Sequence, residues 1–405
     1  MTLHVTGYRF VILGILLIAT LSWGLVLFGV PVTLNQIIPE LGISNAEAGA
    51  VFGSLYLSLV LGGVVSGFLS DRMGLKRFML AGMLLGGISG ILRGFSHGII
   101  DLLIYSLIFS FSTVIITSGS AGVIRLWFRS RELGTASGLW NAFFGLGALT
   151  AMIMTQSHVI PLVGSWRGAF TLYASVMLLA AILWATLYRE PSREVETGSY
   201  PTRYKSVKLL RSLNMWLVLI AFLFIVGNQN AVINWMPILL EVRGLTPGHA
   251  GLLSSIVWVG ALSGSVVVPT VSDRIGRRIL PVTILTPVMG LTIYGLTLLD
   301  VGSSILPLVI FGLGFTSSYA WAMFLTIIME LPDVGRDNVS RASGFLLSAS
   351  GVGAFFLPVL GGFMRDLTGS LTQAFITYAI SAQVAVIALT ALALRMSVGG
   401  YGRKI

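Results

Sequence analysis

The sequence predicts an all-α membrane protein, with twelve transmembrane helices arranged as two pseudosymmetric six-helix bundles. Three observations predict it. Hydrophobic residues make up 55% of the 405 residues and charged residues only 10%, against about 25% charged in a soluble domain, so the apolar surface is too large for one aqueous core. Apolar runs of about 20 residues, the length that crosses a bilayer as a helix, recur along the whole chain. The chain also repeats itself: GFLSDRMGLKR at Gly67–Arg77 returns as PTVSDRIGRR at Pro269–Arg278.

The repeat extends beyond that loop. At an offset of 202, Asp71 falls on Asp273, Arg72 on Arg274 and Gly74 on Gly276, and the lead-in Leu41–Gly49 lies over Arg243–Gly251. Further on, ASGLWNAFFGLGA (Ala136–Ala148) lies over ASGFLLSASGVGA (Ala342–Ala354) at an offset of 206, matching six small residues. Two blocks at nearly one offset mean a duplicated half, the parallel-repeat plan of a large transporter class.

Taken in order, the apolar runs place spans 1 to 6 at 9–33, 46–69, 77–95, 101–124, 134–157 and 167–188. Spans 7 to 12 fall at 213–237, 248–270, 279–299, 304–328, 341–364 and 372–395. The first run is too long for a signal-peptide core and lacks a small-residue cleavage site, so it reads as span 1. Residues 1–188 form the first bundle, 189–211 a polar cytoplasmic linker and 212–405 the second bundle, with no separate extramembrane domain expected. Ser44 with Glu47 is a capping box at the head of span 2. Thr246 followed by Pro247 supplies a cap and an N1 proline at the head of span 8.

Of the 25 Lys and Arg, 21 lie in the tails, the linker or the loops after even-numbered spans, and only Arg93, Arg167, Arg243 and Arg365 lie toward the other side. The positive-inside rule then puts both termini and the linker in the cytoplasm of a multi-pass plasma or inner-membrane protein. The net charge of +10 is therefore topology, and no nucleic-acid partner is expected. The absence of Cys excludes disulfides and thiol or Cys–zinc chemistry. No cofactor and no metal site is expected, and no Gly-Lys-Ser/Thr phosphate loop is present.

The pattern G-x-x-x-D-R-x-G-x-[KR]-[KR] between two apolar helices resembles the loop 2–3 signature of the major facilitator superfamily, and the second copy resembles its loop 8–9. The resemblance covers the whole chain and implies the superfamily's fold, with secondary transport of a small molecule. It implies a conformational gate made of Gly67, Asp71, Arg72, Gly74, Lys76 and Arg77, with Asp273, Arg274, Gly276, Arg277 and Arg278 as the second copy. Physically, a carboxylate at a helix end can sit against the positive N-terminus of a neighbouring helix. By resemblance, Asp71 would face the start of span 11 (Ser340, Arg341) and Asp273 the start of span 5. Pro269 stands where the first copy has Gly67, which puts the second copy's packing role in doubt. Gly138, Gly145 and Gly147 of span 5 partly match an antiporter motif, but its Gly-Pro and the mid-helix Arg of span 4 are missing. Both absences count against drug/proton efflux. The run from Gly344 to Ser370 resembles the cyanate-permease and organic-anion symporter branches.

Polar residues at membrane depth point to a binding site. The densest set is Asn228, Gln229, Asn230 and Asn234 in span 7, read either as cavity lining or as glue between helices. Trp23 of span 1, Ser112 of span 4, Asn141 of span 5, and Tyr319 and Trp321 of span 10 complete the candidates. Tyr56 overlies Trp258 at the 202 offset, so the pair either clamps a flat solute or packs. No ionisable residue lies near the centre of a span. Arg93 comes nearest and has two fates open, snorkelling to the outer interface or contact with a substrate anion. A coupling proton or ion has no evident seat. The sequence therefore favours a monomeric, non-enzymatic secondary transporter for a small neutral or weakly anionic organic solute such as a carboxylate. An exporter of small organic or toxic compounds is the alternative within transport. A membrane enzyme is disfavoured because paired acids, His clusters and a Ser–His set are missing at helix depth, and a transport-like receptor because no added soluble domain is found.

Overall fold

A computed structural model of the chain describes residues 3–60, 69, 70, 72–129, 132–189, 209, 211–334 and 338–398. Among these, all regular structure is helical, and eleven helices are long and apolar enough to cross a membrane. The remaining expected span, 46–69, runs into residues outside the described set.

The first two spans depart from expectation. Helix α1 (Leu3–Gly29) stops before Pro31 and does not reach 33. Proline restricts the residue before it to extended backbone and lacks the N–H that a continuing helix needs. The Thr33 hydroxyl then donates to the freed carbonyls of Gly29 and Val30 at 2.8 and 3.1 Å. A short helix, α2 (Leu34–Leu41), follows where the sequence placed none, ending on Gly42 in the left-handed region. Helix α3 (Asn45–Ser54) starts with the expected capping box of Ser44 and Glu47. It breaks at Leu55–Leu57, where Leu55, Tyr56 and Leu57 donate to carbonyls three residues back, tighter than an α-helix.

The rest of the chain follows the predicted order: α4 (Leu75–Gly94), α5 (Ile99–Trp127), α6 (Leu133–Met154), a π-turn at Thr155–Val159, α7 (Ile160–Val163) and α8 (Trp166–Leu187). Then come α9 (Leu213–Val242), α10 (Pro247–Ile275), α11 (Ile279–Leu298), α12 (Leu306–Ser318), α13 (Ala320–Glu330), α14 (Val339–Thr368) and α15 (Leu371–Val398). Span 10 is thus two helices meeting at Tyr319. The predicted cap of span 8 is present, with Thr246 accepting from the His249 N–H and Pro247 at N1.

By contacts the chain forms two compact units: Met1–Ile43 with Leu61–Thr202, and Ser44–Val60 with Arg203–Ile405. The second unit therefore includes Ser44–Val60, which the sequence assigned to the first bundle. Glycine explains it. Any Cβ on Gly49 would collide with the Pro358 backbone, one on Gly53 with Phe355, and one on Gly362 with Asn45, so α3 and α14 touch backbone to backbone.

Within each unit the duplication reappears as packing. In the first, α1 meets α6 through Gly24 and Gly147, each set against the other helix's main chain. In the second, α9 meets α14 through Gly227 and Gly353 in the same reciprocal way. The core of the first unit gathers Met79, Met83, Ile116 and Met177 from three helices under Trp184.

Candidate functional site

Several predicted lining residues lie on open or half-open faces. In the first unit, Trp23 on α1 packs against Trp140 and Phe144 of α6, with ring centroids 6.0 and 4.5 Å away. Asn141, one residue past Trp140, is exposed. Ser112 is elsewhere: fully buried, it donates to the Phe109 carbonyl at 2.7 Å and packs beneath Gly86 of α4.

In the second unit, Tyr56 sits at the break after α3, half-buried, 5.5 Å from the Phe52 ring. Trp258 is half-buried on α10. Trp321 is 43% exposed with its edge on Phe222 at 5.1 Å. Tyr319 is fully buried, its hydroxyl 3.1 Å from Thr286, and joins spans 9 and 10.

The four amides of span 7 do not share a face. Each helical residue turns about 100° from the last, so consecutive amides diverge. Asn228 is buried and accepts from Ser381 of α15 at 2.8 Å, which is helix glue. Asn230 donates to the Val226 carbonyl of its own helix at 2.9 Å. Asn234 is fully buried, and neither amide atom has a hydrogen-bond partner among the described residues. Gln229 alone is half-exposed.

Arg93 is 0% exposed, which overturns snorkelling. Its guanidinium lies 4.7 Å from the Phe170 ring centroid and 5.8 Å from that of Phe109, and none of its nitrogens has a hydrogen-bond partner among the described residues. It is the sole charged side chain among the fully buried described residues. One turn away, Gly90 packs against Ala174 of α8 and Val26 of α1, and Phe170, which Arg93 faces, packs against Gly29 at the C-terminal end of α1.

The other three basic residues at that end have structural work. Arg167 pairs with Glu40 at 2.9 Å and donates to the Gly94 and Ser96 carbonyls at 3.0 and 2.5 Å, closing the C-terminus of α4. Burial opposes ionisation of Glu40, but hydrogen bonds from Trp166 and Arg167 outweigh it and hold the carboxyl below its ordinary range. Arg243 does for α11 what Arg167 does for α4, donating to Leu296, Thr297 and Leu299. Arg365 lies in the field of Asp366 and Glu241.

Asp366 is the functional candidate that sequence reasoning missed. One carboxylate oxygen accepts from the Asn45 N–H at 3.1 Å and its side-chain amide at 2.6 Å; the other accepts from the Ala46 N–H at 2.8 Å. It closes the positive N-terminus of α3 from the far end of α14. Nothing in the residues flanking Asp366 announced a partner 321 positions away.

At the basic end, Gly67 and Asp71 lie outside the described residues, as does the side chain of Ser340. Arg72 and Arg77 are exposed and Lys76 is half-buried. Gly74 and Gly276 both take positive φ, 72° and 70°. Asp273 pairs with Arg278, which also reaches Glu330 at 3.2 Å, while Arg274 and Arg277 are exposed. Donating hydrogen bonds to Asp273 and, more weakly, to Glu330 holds the Arg278 guanidinium above its ordinary range despite some burial.

The sequence profile of the Major Facilitator Superfamily matches residues 12–336. Among individual relatives, the hexuronate transporter of Bacillus subtilis is 24% identical over 71% of this chain and 72% of its own length. The probable galactarate/D-glucarate transporter GudP of the same organism is 21% identical over 66% of this chain and 65% of its own. The uncharacterized transporter YycB, also of Bacillus subtilis, is 27% identical over 52% of this chain; the match spans about half of that relative, 51%. The crystal structure of the nucleoside transporter NupG superposes with a TM-score of 0.78 over 95% of this chain and 98% of that one, at 16% identity, a likeness of fold alone.

Proposed function

The chain belongs to the Major Facilitator Superfamily, and from that premise we propose that it is a secondary transporter carrying a small organic acid anion by alternating access. The observation that carries this reading is Arg93, a positive charge buried among aromatic rings with no hydrogen-bond partner among the described residues. In a low-dielectric surround such a charge is weakly screened and strongly favours a nearby anion. The names of two relatives, hexuronate and galactarate/D-glucarate transporters, record carboxylates. In this reading Trp23, Trp140 and Asn141 are the candidate substrate contacts of the first unit, and Tyr56, Gln229, Trp258 and Trp321 those of the second. Asn228, Ser112 and Tyr319 hold helices together instead.

The Asp366 clamp is the gate at one end. Opening there separates α3 from α14 and strips the carboxylate of three N–H donors. The Asp71 loop acts at the basic end, which this reading places in the cytoplasm of a bacterial-type inner membrane.

The test is uptake into proteoliposomes of hexuronate and small monocarboxylates, beside neutral sugars. Wild-type protein should take up a carboxylate saturably. Arg93→Gln should weaken apparent affinity by roughly 10- to 100-fold, the span of one hydrogen-bonded charge contact. Its thermal stability should hold or rise, since it removes an uncompensated buried charge. Saturable uptake of a neutral solute, indifferent to carboxylate competitors and to Arg93→Gln, would retire the anion reading.

A further inference from the structure

We infer that the basic end of the first unit carries a phosphate-binding pocket, and that its occupant is the headgroup of an anionic phospholipid. A cavity of about 440 Å³ opens there, lined by Met73, Lys76, Arg77, Tyr188 and Arg189. Three of its five lining side chains are cations. None of the three is in an ion pair among the described residues.

The duplicated loop provides the comparison. At the 202 offset, Arg278 falls on Lys76 and Glu330 falls on Phe128. The second copy therefore neutralises its cation with a carboxylate from the end of span 10, while the first has an aromatic ring at the corresponding end of span 4. Lys76 and Arg77 also occupy the first turn of α4, whose N-terminal Gly74 has no side-chain cap. Cations there oppose the helix dipole, and an anion relieves both.

The walls suit a lipid. Tyr188 stacks on Trp184 at 4.0 Å, and the Trp184 indole donates to the Lys76 carbonyl at 3.0 Å, fixing the pocket's floor. Aromatic residues of this kind mark a membrane–water interface. Beyond the pocket, α4 exposes Leu84 and Ile88 and α8 exposes Leu179 and Ile182, apolar surface for acyl chains. Basic pockets beside spans at a membrane surface are suited to anionic headgroups.

The experiment is thermal unfolding of the full chain in nanodiscs of phosphatidylcholine with rising fractions of phosphatidylglycerol. A ligand that binds the folded state raises the melting temperature as its concentration passes its dissociation constant. We expect a saturable rise, shifted to about thirtyfold higher phosphatidylglycerol in Arg77→Gln/Arg189→Gln, two surface charges at about 1 kcal/mol each. Arg77→Lys should keep most of the response, and Arg274→Gln/Arg277→Gln, in the other copy, all of it. Both double variants should melt like wild type in pure phosphatidylcholine, which separates a lost site from a lost fold. A response that survives Arg77→Gln/Arg189→Gln, or no response at all, overturns the site. The same rise on adding inorganic phosphate to phosphatidylcholine discs overturns the lipid as occupant. The outcome is independent of which solute the protein carries.

Discussion

The two copies of the loop share a backbone and differ in charge balance. Both turn on a glycine of nearly equal positive φ, and in both that glycine's N–H closes on a serine carbonyl, Gly74 on Ser70 and Gly276 on Ser272. In the second copy the cation is consumed internally, with Arg278 held between Asp273 and Glu330. In the first, Lys76, Arg77 and Arg189 share a cavity with no carboxylate among the described residues. Duplication preserved the turn, which only glycine takes without strain. It let the charges diverge, because a surface charge is stabilised as well by a partner outside the chain as by one within it.

The comparison can be broken by moving the carboxylate. Phe128→Glu gives the first copy the acid that the second has, and should lower the apparent affinity for phosphatidylglycerol by about tenfold, while Phe128→Leu leaves it unchanged. A Phe128→Glu variant titrating like wild type would mean that the missing acid is not what leaves the pocket open. The shared backbone can be tested next. Gly74→Ala and Gly276→Ala meet open space at the new Cβ, so each should cost only the strain of positive φ, about 1 kcal/mol, and lower the melting temperature equally. Unequal losses would mean that the turns are alike in angle but not in role. The smallest effect is that of the internal ion pairs. Arg278→Gln should cost no more than about 1 kcal/mol in any lipid, as expected for half-exposed pairs. Lys76→Gln should cost nothing measurable in phosphatidylcholine.

Eleven of the spans, both predicted caps and the doubled loop were legible because each is a local signal: length, a side chain three residues from a backbone N–H, a repeated string. Rotation of the helices was not. A soluble helix declares its buried face through an amphipathic stripe, but a helix apolar all round carries no such mark. Asn228, Gln229 and Asn230 therefore read as one cluster although the structure turns them to different partners. Arg93 shows the same limit. Its depth could be counted, but the rings of Phe109 and Phe170 that hold it come from spans 4 and 6 and leave no trace beside it. The break at Tyr56 and the helix at Leu34–Leu41 also went unseen, the second because Pro31 and Gly42 bracket a segment too short to register as a span.

The contact between α3 and α14 has a consequence in time. Asn45 and Asp366 are 321 residues apart, and a ribosome adding roughly 5–20 residues per second needs tens of seconds to pass from one to the other. Through that interval Gly49 and Gly53 of α3 have no α14 to pack on, and its first amide groups lack the carboxylate that will close them. The chain's assembly must then wait for its eleventh span, so the nascent protein has a long window in which a chaperone, an insertase or a neighbouring helix can occupy that seam first.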